Sequence, residues 1–288
     1  MFQATYKNGL KTLLRSKTFL LSVLLVIFVA VYDAIGNYYA VFDMELMELI
    51  WDTDPRFVLS FEQYREHIQN ACIAGIMWYA LPLLAVISTA LILSRDWGDR
   101  FFEIEKAAGG RPLSYVAARL CSILTVNVAV MLFAMMLSFY YYVFSRGGVD
   151  GMGVFAMLGD SLPRILKFAF LMGLPCVLMY VGLTYAVGNL LKNGIAGAVA
   201  GMSYVVAFYV GYLMLSNGGQ FALYFAYLSP VPHMTRFYLA ALDRGNPASF
   251  MKMMNTSMEK AAIGIAVLGG AALIYYAVSY WRVRRREY

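Results

Sequence analysis

Six runs of about twenty apolar residues, at 18–36, 71–93, 120–142, 168–191, 195–215 and 261–281, constrain this chain more than any other feature. Each has roughly the length of an α-helix that crosses the hydrocarbon core of a bilayer. Composition agrees: 61% of the residues are hydrophobic and 14% charged, against about 45–50% and about 25% in a soluble domain. The expected fold is therefore an all-α polytopic membrane protein with six transmembrane helices, forming a single transmembrane domain over 1–288.

Basic residues set the orientation. With the amino terminus inside, the inner segments hold Lys7, Lys11, Arg15, Lys17, Arg95, Arg100, Lys106, Arg111, Arg119, Lys192, Arg282, Arg284, Arg285 and Arg286, which is 14 of the 23 lysines and arginines. The other nine are spread over a much greater outer length, so both termini are expected to be cytoplasmic. In such a chain a net charge of +6 reports topology, and it does not by itself indicate nucleic acid. The first apolar run is too long for a cleavable signal and has no small-residue cleavage pattern after it, so it reads as the first span.

Two cytoplasmic segments stand out. Residues 1–17 carry four basic residues interleaved with Tyr6, Leu10, Leu13 and Leu14, which fall on one helical face. This pattern predicts a basic amphipathic helix lying along an anionic leaflet, with a solvated tail as the alternative. The second segment, RDWGDRFFEIEKAAGGRPLSYVAAR at 95–119, contains a loop at 95–112 between the second and third spans. Trp97, Phe101, Ile104 and Ala108 recur at helical spacing and predict one short helix over 97–108. Asp96 and Asp99 suit its amino-terminal end, Gly109-Gly110 its stop, and Pro112 the first turn of the next helix. Such a helix is either a docking element or an interfacial helix resting Trp and Phe in the headgroups.

The outer segments are less informative. The loop at 37–70 holds seven of the seventeen acidic residues, a solvated face or a vestibule for cations. In the segment at 216–260, FALYFAYLSPVP is too short to span and ends in prolines, which suits a short re-entrant or interfacial helix before the sixth span. Thr256 and Glu259 form a capping box ahead of that span.

Within the spans, Gly194, Gly197 and Gly201 form a small-residue face. It lets helix backbones approach closely, either in a dimer or within one subunit. Asn127 reads as a helix–helix hydrogen bond, while Asp33 and Arg119 lie near span ends. Three cysteines without paired spacing and two distant histidines give no metal or disulfide framework. The sequence contains no GxxxxGK[ST] phosphate loop, GxSxG or HExxH. The expectation is a chain that is not an enzyme and holds no cofactor of its own.

Three segments in this order resemble the permease subunit of a type-2 ABC exporter: YKNGLKTLLRSKTFLLSVLLVI, RDWGDRFFEIEKAAGGRPLSYVAARL and YLSPVPHMTRFYLA. The first is similar to that family's amphipathic elbow helix and the second to its loop between spans two and three. The third is similar to its outer segment before the last span. The resemblance implies export across the inner cell membrane and a separate ATPase subunit carrying ATP and Mg. It also implies a second permease copy or a similar permease. On it, residues 97–108 are a cytoplasmic coupling helix, with Trp97, Asp99, Arg100, Phe101, Phe102, Glu103, Ile104 and Glu105 meeting the ATPase. The substrate is not specified by any residue. Membrane lipids are the remaining partner, and no nucleic acid is implied. A membrane scaffold or sensor that recruits a cytosolic partner through 95–119 is the alternative. A secondary transporter would call for inverted repeats or midplane charges that the sequence does not display.

Overall fold

The computed structural model describes residues 2–45, 80–107, 109, 111–145, 162–163, 166, 169–214 and 258–285. Among them the chain is helical, without a strand. Its helices are α1 (Phe2–Arg15), α2 (Lys17–Glu45), α3 (Ala80–Gly98), α4 (Phe101–Ala107), α5 (Pro112–Ser145), α6 (Leu174–Leu191), α7 (Gly194–Met214) and α8 (Met258–Arg284). A π-helical turn, Ala169–Gly173, leads into α6. The described part of each of the six predicted apolar runs is helical, with 71–79 of the second, 168 of the fourth and 215 of the fifth outside the described residues. By length and composition, α3, α5 as far as Ser138, and the helix from Ala169 to Leu191 are long and apolar enough to cross a membrane. The bent pair α1 and α2 makes a fourth if taken together. Of the outer loop expected at 37–70, residues 37–45 instead continue α2 and 46–70 lie outside the described residues. Of the segment at 216–260, 258–260 open α8, and 216–257, where the re-entrant helix and Thr256 of the capping box are expected, lie outside the described residues.

The bundle is built around α3, α5 and α6. α2 packs on α5 and α3, α7 on α6 and α3, and α8 chiefly on α6. Leu81, Leu84, Ile92, Ile123, Met131, Met135, Val177 and Tyr185 fill its core. A polar contact crosses that core: Asn127 Nδ2 donates to Ser88 Oγ at 2.8 Å, joining α5 to α3. This is the helix–helix hydrogen bond expected of Asn127. Outward faces are apolar, with Leu21, Leu24, Phe28 and Tyr32 exposed along α2 and Leu273 and Ile274 on α8.

The small-residue face of α7 is in use within the chain. A Cβ added to Gly194 would lie 2.7 Å from the Ala90 carbonyl, and one on Gly197 2.6 Å from the Thr184 carbonyl. At Gly201 it would meet Val86 at 2.7 Å. Gly194, Gly197 and Gly201 therefore let α7 sit against α3 and α6. The intrachain alternative accounts for these glycines, and the face on which a dimer contact was expected is covered by the chain's own helices.

A bulky residue here must push helix backbones apart, and overpacking of this kind costs about 1–3 kcal/mol. Gly197→Leu is expected to lower the thermal unfolding midpoint of the purified chain in detergent, whatever its oligomeric state. An unchanged midpoint together with loss of a dimer on size-exclusion chromatography would place this face at an interface instead.

Candidate functional site: the loop between α3 and α5 and its buried ion pair

The end of α3, α4, the first turns of α5, and the Lys192–Asn193 turn between α6 and α7 share one end of the bundle. Gly188 and Gly194, on either side of that turn, pack against Leu93 and Ser94. This is the end expected, from the lysine and arginine distribution, to be cytoplasmic.

The short helix expected over 97–108 is broken in two, because α3 continues through Trp97 to Gly98. It closes with the Asp99 amide donating to the Arg95 carbonyl at 2.8 Å. The chain then turns at Asp99–Arg100, where Arg100 takes a left-handed conformation with φ 49°, uncommon for a residue with a Cβ. The Arg100 carbonyl accepts from the Glu103 and Ile104 amides and so begins α4. Gly109, at φ 82°, supplies the predicted stop. Pro112 opens α5 as expected, with the Tyr115 amide bonded to the Arg111 carbonyl.

The break reassigns the residues of the expected docking face. Trp97, on the last turn of α3, is half-buried against the bundle core. Phe101 also packs inward, its ring centroid 4.5 Å from the Arg119 guanidinium carbon. Asp99, Arg100, Glu103 and Ile104 are exposed, Ile104 at 60%. The side chains of Phe102, Glu105 and Lys106 and the whole of Ala108 lie outside the described residues. Trp97 and Phe101 thus anchor the loop to its own bundle, and among its described side chains Ile104 is the exposed large apolar one.

Arg119 is at the centre of the anchor. It stands two turns into α5, buried to 1% exposure, and its Nη2 donates to Asp96 Oδ1 of α3 at 2.5 Å. The Tyr115 hydroxyl donates to the other carboxylate oxygen at 2.5 Å. Arg119 Nη1 reaches the Thr5 carbonyl of α1 at 3.5 Å. A charge-assisted pair between α3 and α5 thereby closes the loop that α4 bridges. Sequence spacing placed Asp96 at a helix amino terminus. It lies instead in the last turn of α3, and it faces inward. The signal that could have found the pair is the placing of one acid and one arginine at the two helix ends flanking a single loop, with Tyr115 one turn from Arg119 on the same face.

α1 is docked on this cluster. Gly9 lies against Ser122, leaving no room for a Cβ, and Tyr6 and Thr125 hydroxyls bond at 3.1 Å. Arg95 Nη1 donates to Thr12 Oγ1 at 2.6 Å and its Nε to Asp99 at 3.2 Å. The buried stripe of α1 is Thr5, Gly9 and Leu13, flanked by half-buried Tyr6 and Leu10, while Leu14 is 57% exposed. The inward face is thus rotated from the apolar face read in the sequence toward the small residues. Lys7, Lys11 and Arg15 remain exposed.

Among the described residues no group of three metal-binding side chains occurs. No family model, curated protein or solved structure matches the chain.

Removing one partner of a buried ion pair leaves an uncompensated charge and costs about 3–5 kcal/mol, whereas replacing both by apolar groups is often neutral. Arg119→Met alone is therefore expected to destabilise the chain strongly, and Arg119→Met with Asp96→Leu to recover most of the loss. Denaturation of the four species in a double-mutant cycle measures the coupling. Additive losses would mean that the two side chains do not interact.

Proposed function

We propose that this chain is the membrane-spanning subunit of an ATP-driven exporter, forming the substrate path and taking up motion from a separate ATPase through α4. The supporting observation is the division of labour in the inner-end loop. Phe101 and the Asp96–Arg119 pair tie α4 to the bundle, while Glu103 and Ile104 face outward from it. A helix clamped on one side and exposed on the other passes a push from a partner into α3 and α5 without absorbing it. The resemblance of 95–119 to the loop of type-2 exporter permeases supports an ATPase as that partner, with ATP and Mg on the ATPase.

In this reading six helices cross the inner cell membrane, both termini are cytoplasmic, and α1 rests its exposed lysines on the inner leaflet. The apolar ridges of α2 and α8 contact lipid. A second permease copy approaches through a face other than the glycine face of α7, and cargo moves along the axis between the copies. Rigid-body rotation of the helices, driven through α4, opens that path.

Ile104 is the side chain to test, because a buried anchor at an interface commonly contributes over 2 kcal/mol, about a 30-fold change in affinity. Ile104→Asp is expected to release a co-purifying ATPase and abolish cargo-stimulated ATP hydrolysis, with membrane insertion unchanged. Glu103→Ala should do less, since rim charges govern encounter more than affinity. An Ile104→Asp chain that retains its ATPase at full turnover would sink the exporter reading. Capture of a partner lacking a phosphate loop would favour the scaffold or sensor.

The topology is tested separately. In a background with Cys72, Cys121 and Cys176 replaced, Glu103→Cys should resist an impermeant thiol reagent in intact cells and react after permeabilisation. Labelling from outside would invert the orientation.

A further inference from the structure

The Arg119 guanidinium is touched by two helices that are far apart in the sequence. The Thr5 carbonyl of α1 meets Nη1, and the Phe101 ring of α4 lies against the guanidinium carbon at 4.5 Å. α4 packs on α3 and α5, and α1 on α5, α2 and α3. We propose that the Asp96–Arg119–Tyr115 cluster is a joint that couples α1 to α4, so that a displacement of either helix is felt by the other. This holds for the chain on its own and does not depend on the exporter reading.

Three observations carry it. First, both helices are mechanically separate segments. α1 joins α2 only through Ser16, at a bend of 69°. α4 lies between left-handed residues at Arg100 and Gly109. Their positions are therefore set by side contacts and not by helical continuity. Second, those contacts converge on neighbouring residues: Thr5 and Gly9 of α1 meet Arg119 and Ser122, and Thr12 meets Arg95, the residue before Asp96. Third, the cluster is poorly explained as a stabilising device. A buried ion pair is often no better than an apolar replacement, and Arg119 Nε is buried with no acceptor among the described residues. Its chemistry is directional, with a planar fork holding a carboxylate on one side and a ring on its face. Such a group transmits a rotation of one neighbour to another.

Hydrogen exchange read by mass spectrometry on the purified full chain in lipid nanodiscs tests the coupling. Phe101→Leu removes the ring from Arg119 but keeps an apolar side chain on α4. It is expected to accelerate exchange of α1 amides by about tenfold or more while α6 and α7 stay as in the native chain. Asp96→Asn is expected to accelerate α1 and α4 together. If Asp96→Asn does not fold, Phe101→Leu alone decides, because it leaves the ion pair in place. Acceleration confined to α4 in the Phe101→Leu chain would overturn the proposal, and so would equal acceleration in α6 and α7, the mark of a merely structural role.

Discussion

Burying the guanidinium of Arg119 imposes conditions on every element near it. A charge taken out of water must find a counter-charge and hydrogen-bond acceptors, or the helix carrying it cannot pack. Asp96 supplies the charge, and it can do so only if α3 ends beside the second turn of α5. That requirement fixes the spacing of the two helices at this end and leaves the residues between them to form a compact loop. Tyr115 occupies the second carboxylate oxygen and Phe101 covers the face of the guanidinium, so α4 is drawn onto the bundle. The carbonyl of Thr5 brings α1 to the same place. Four helices are positioned by one side chain.

Elsewhere the bundle relies on close backbone approach. Helices with apolar exteriors gain little from the hydrophobic effect in lipid, and their association rests on dispersion contacts and interhelical hydrogen bonds. Gly194, Gly197 and Gly201 serve that need on α7, and Gly9 serves it on α1 against Ser122. The Asn127–Ser88 bond adds a directional contact between α5 and α3. This explains why the glycine face is used within the chain. α7 is flanked by α3 and α6, and the side with the least bulk lets it sit deepest between them.

The positions of the helices were legible because a run of about twenty apolar residues permits few alternatives. The stop at Gly109 and the start at Pro112 were legible for a similar reason, since each is a local backbone preference that packing did not override. The break at Asp99–Arg100 was not. The apolar spacing of Trp97, Phe101 and Ile104 fits a continuous helix, and only tertiary contacts reveal that Trp97 and Phe101 face the bundle while Ile104 does not. Asp96 was misplaced for the same reason: an acid before an amphipathic run suits a helix amino terminus, and its partner lies 23 residues further on. On α1 the apolar residues form the visible pattern, but the inward stripe runs through Thr5 and Gly9, because distance of approach outweighs side-chain hydrophobicity there.

In the proposed exporter, the break at Asp99–Arg100 changes what a docking helix at this position has to do. Had Trp97, Phe101 and Ile104 all faced a partner, α4 would have been fastened to that partner and joined to its own bundle by backbone alone. Turns at Arg100 and Gly109 would then have acted as free hinges, and a push on α4 would have bent them before moving α3 or α5. With Phe101 packed on Arg119, the hinges are bypassed by a side-chain contact that leads into a charged pair between the two helices. In the proposed exporter, force applied at Ile104 would enter α4, pass through Phe101 to Arg119, and act on α5 directly and on α3 through Asp96. An aromatic residue turned inward is thus what gives a seven-residue helix purchase on the bundle, and the exposed face is free to be chosen by whatever it meets.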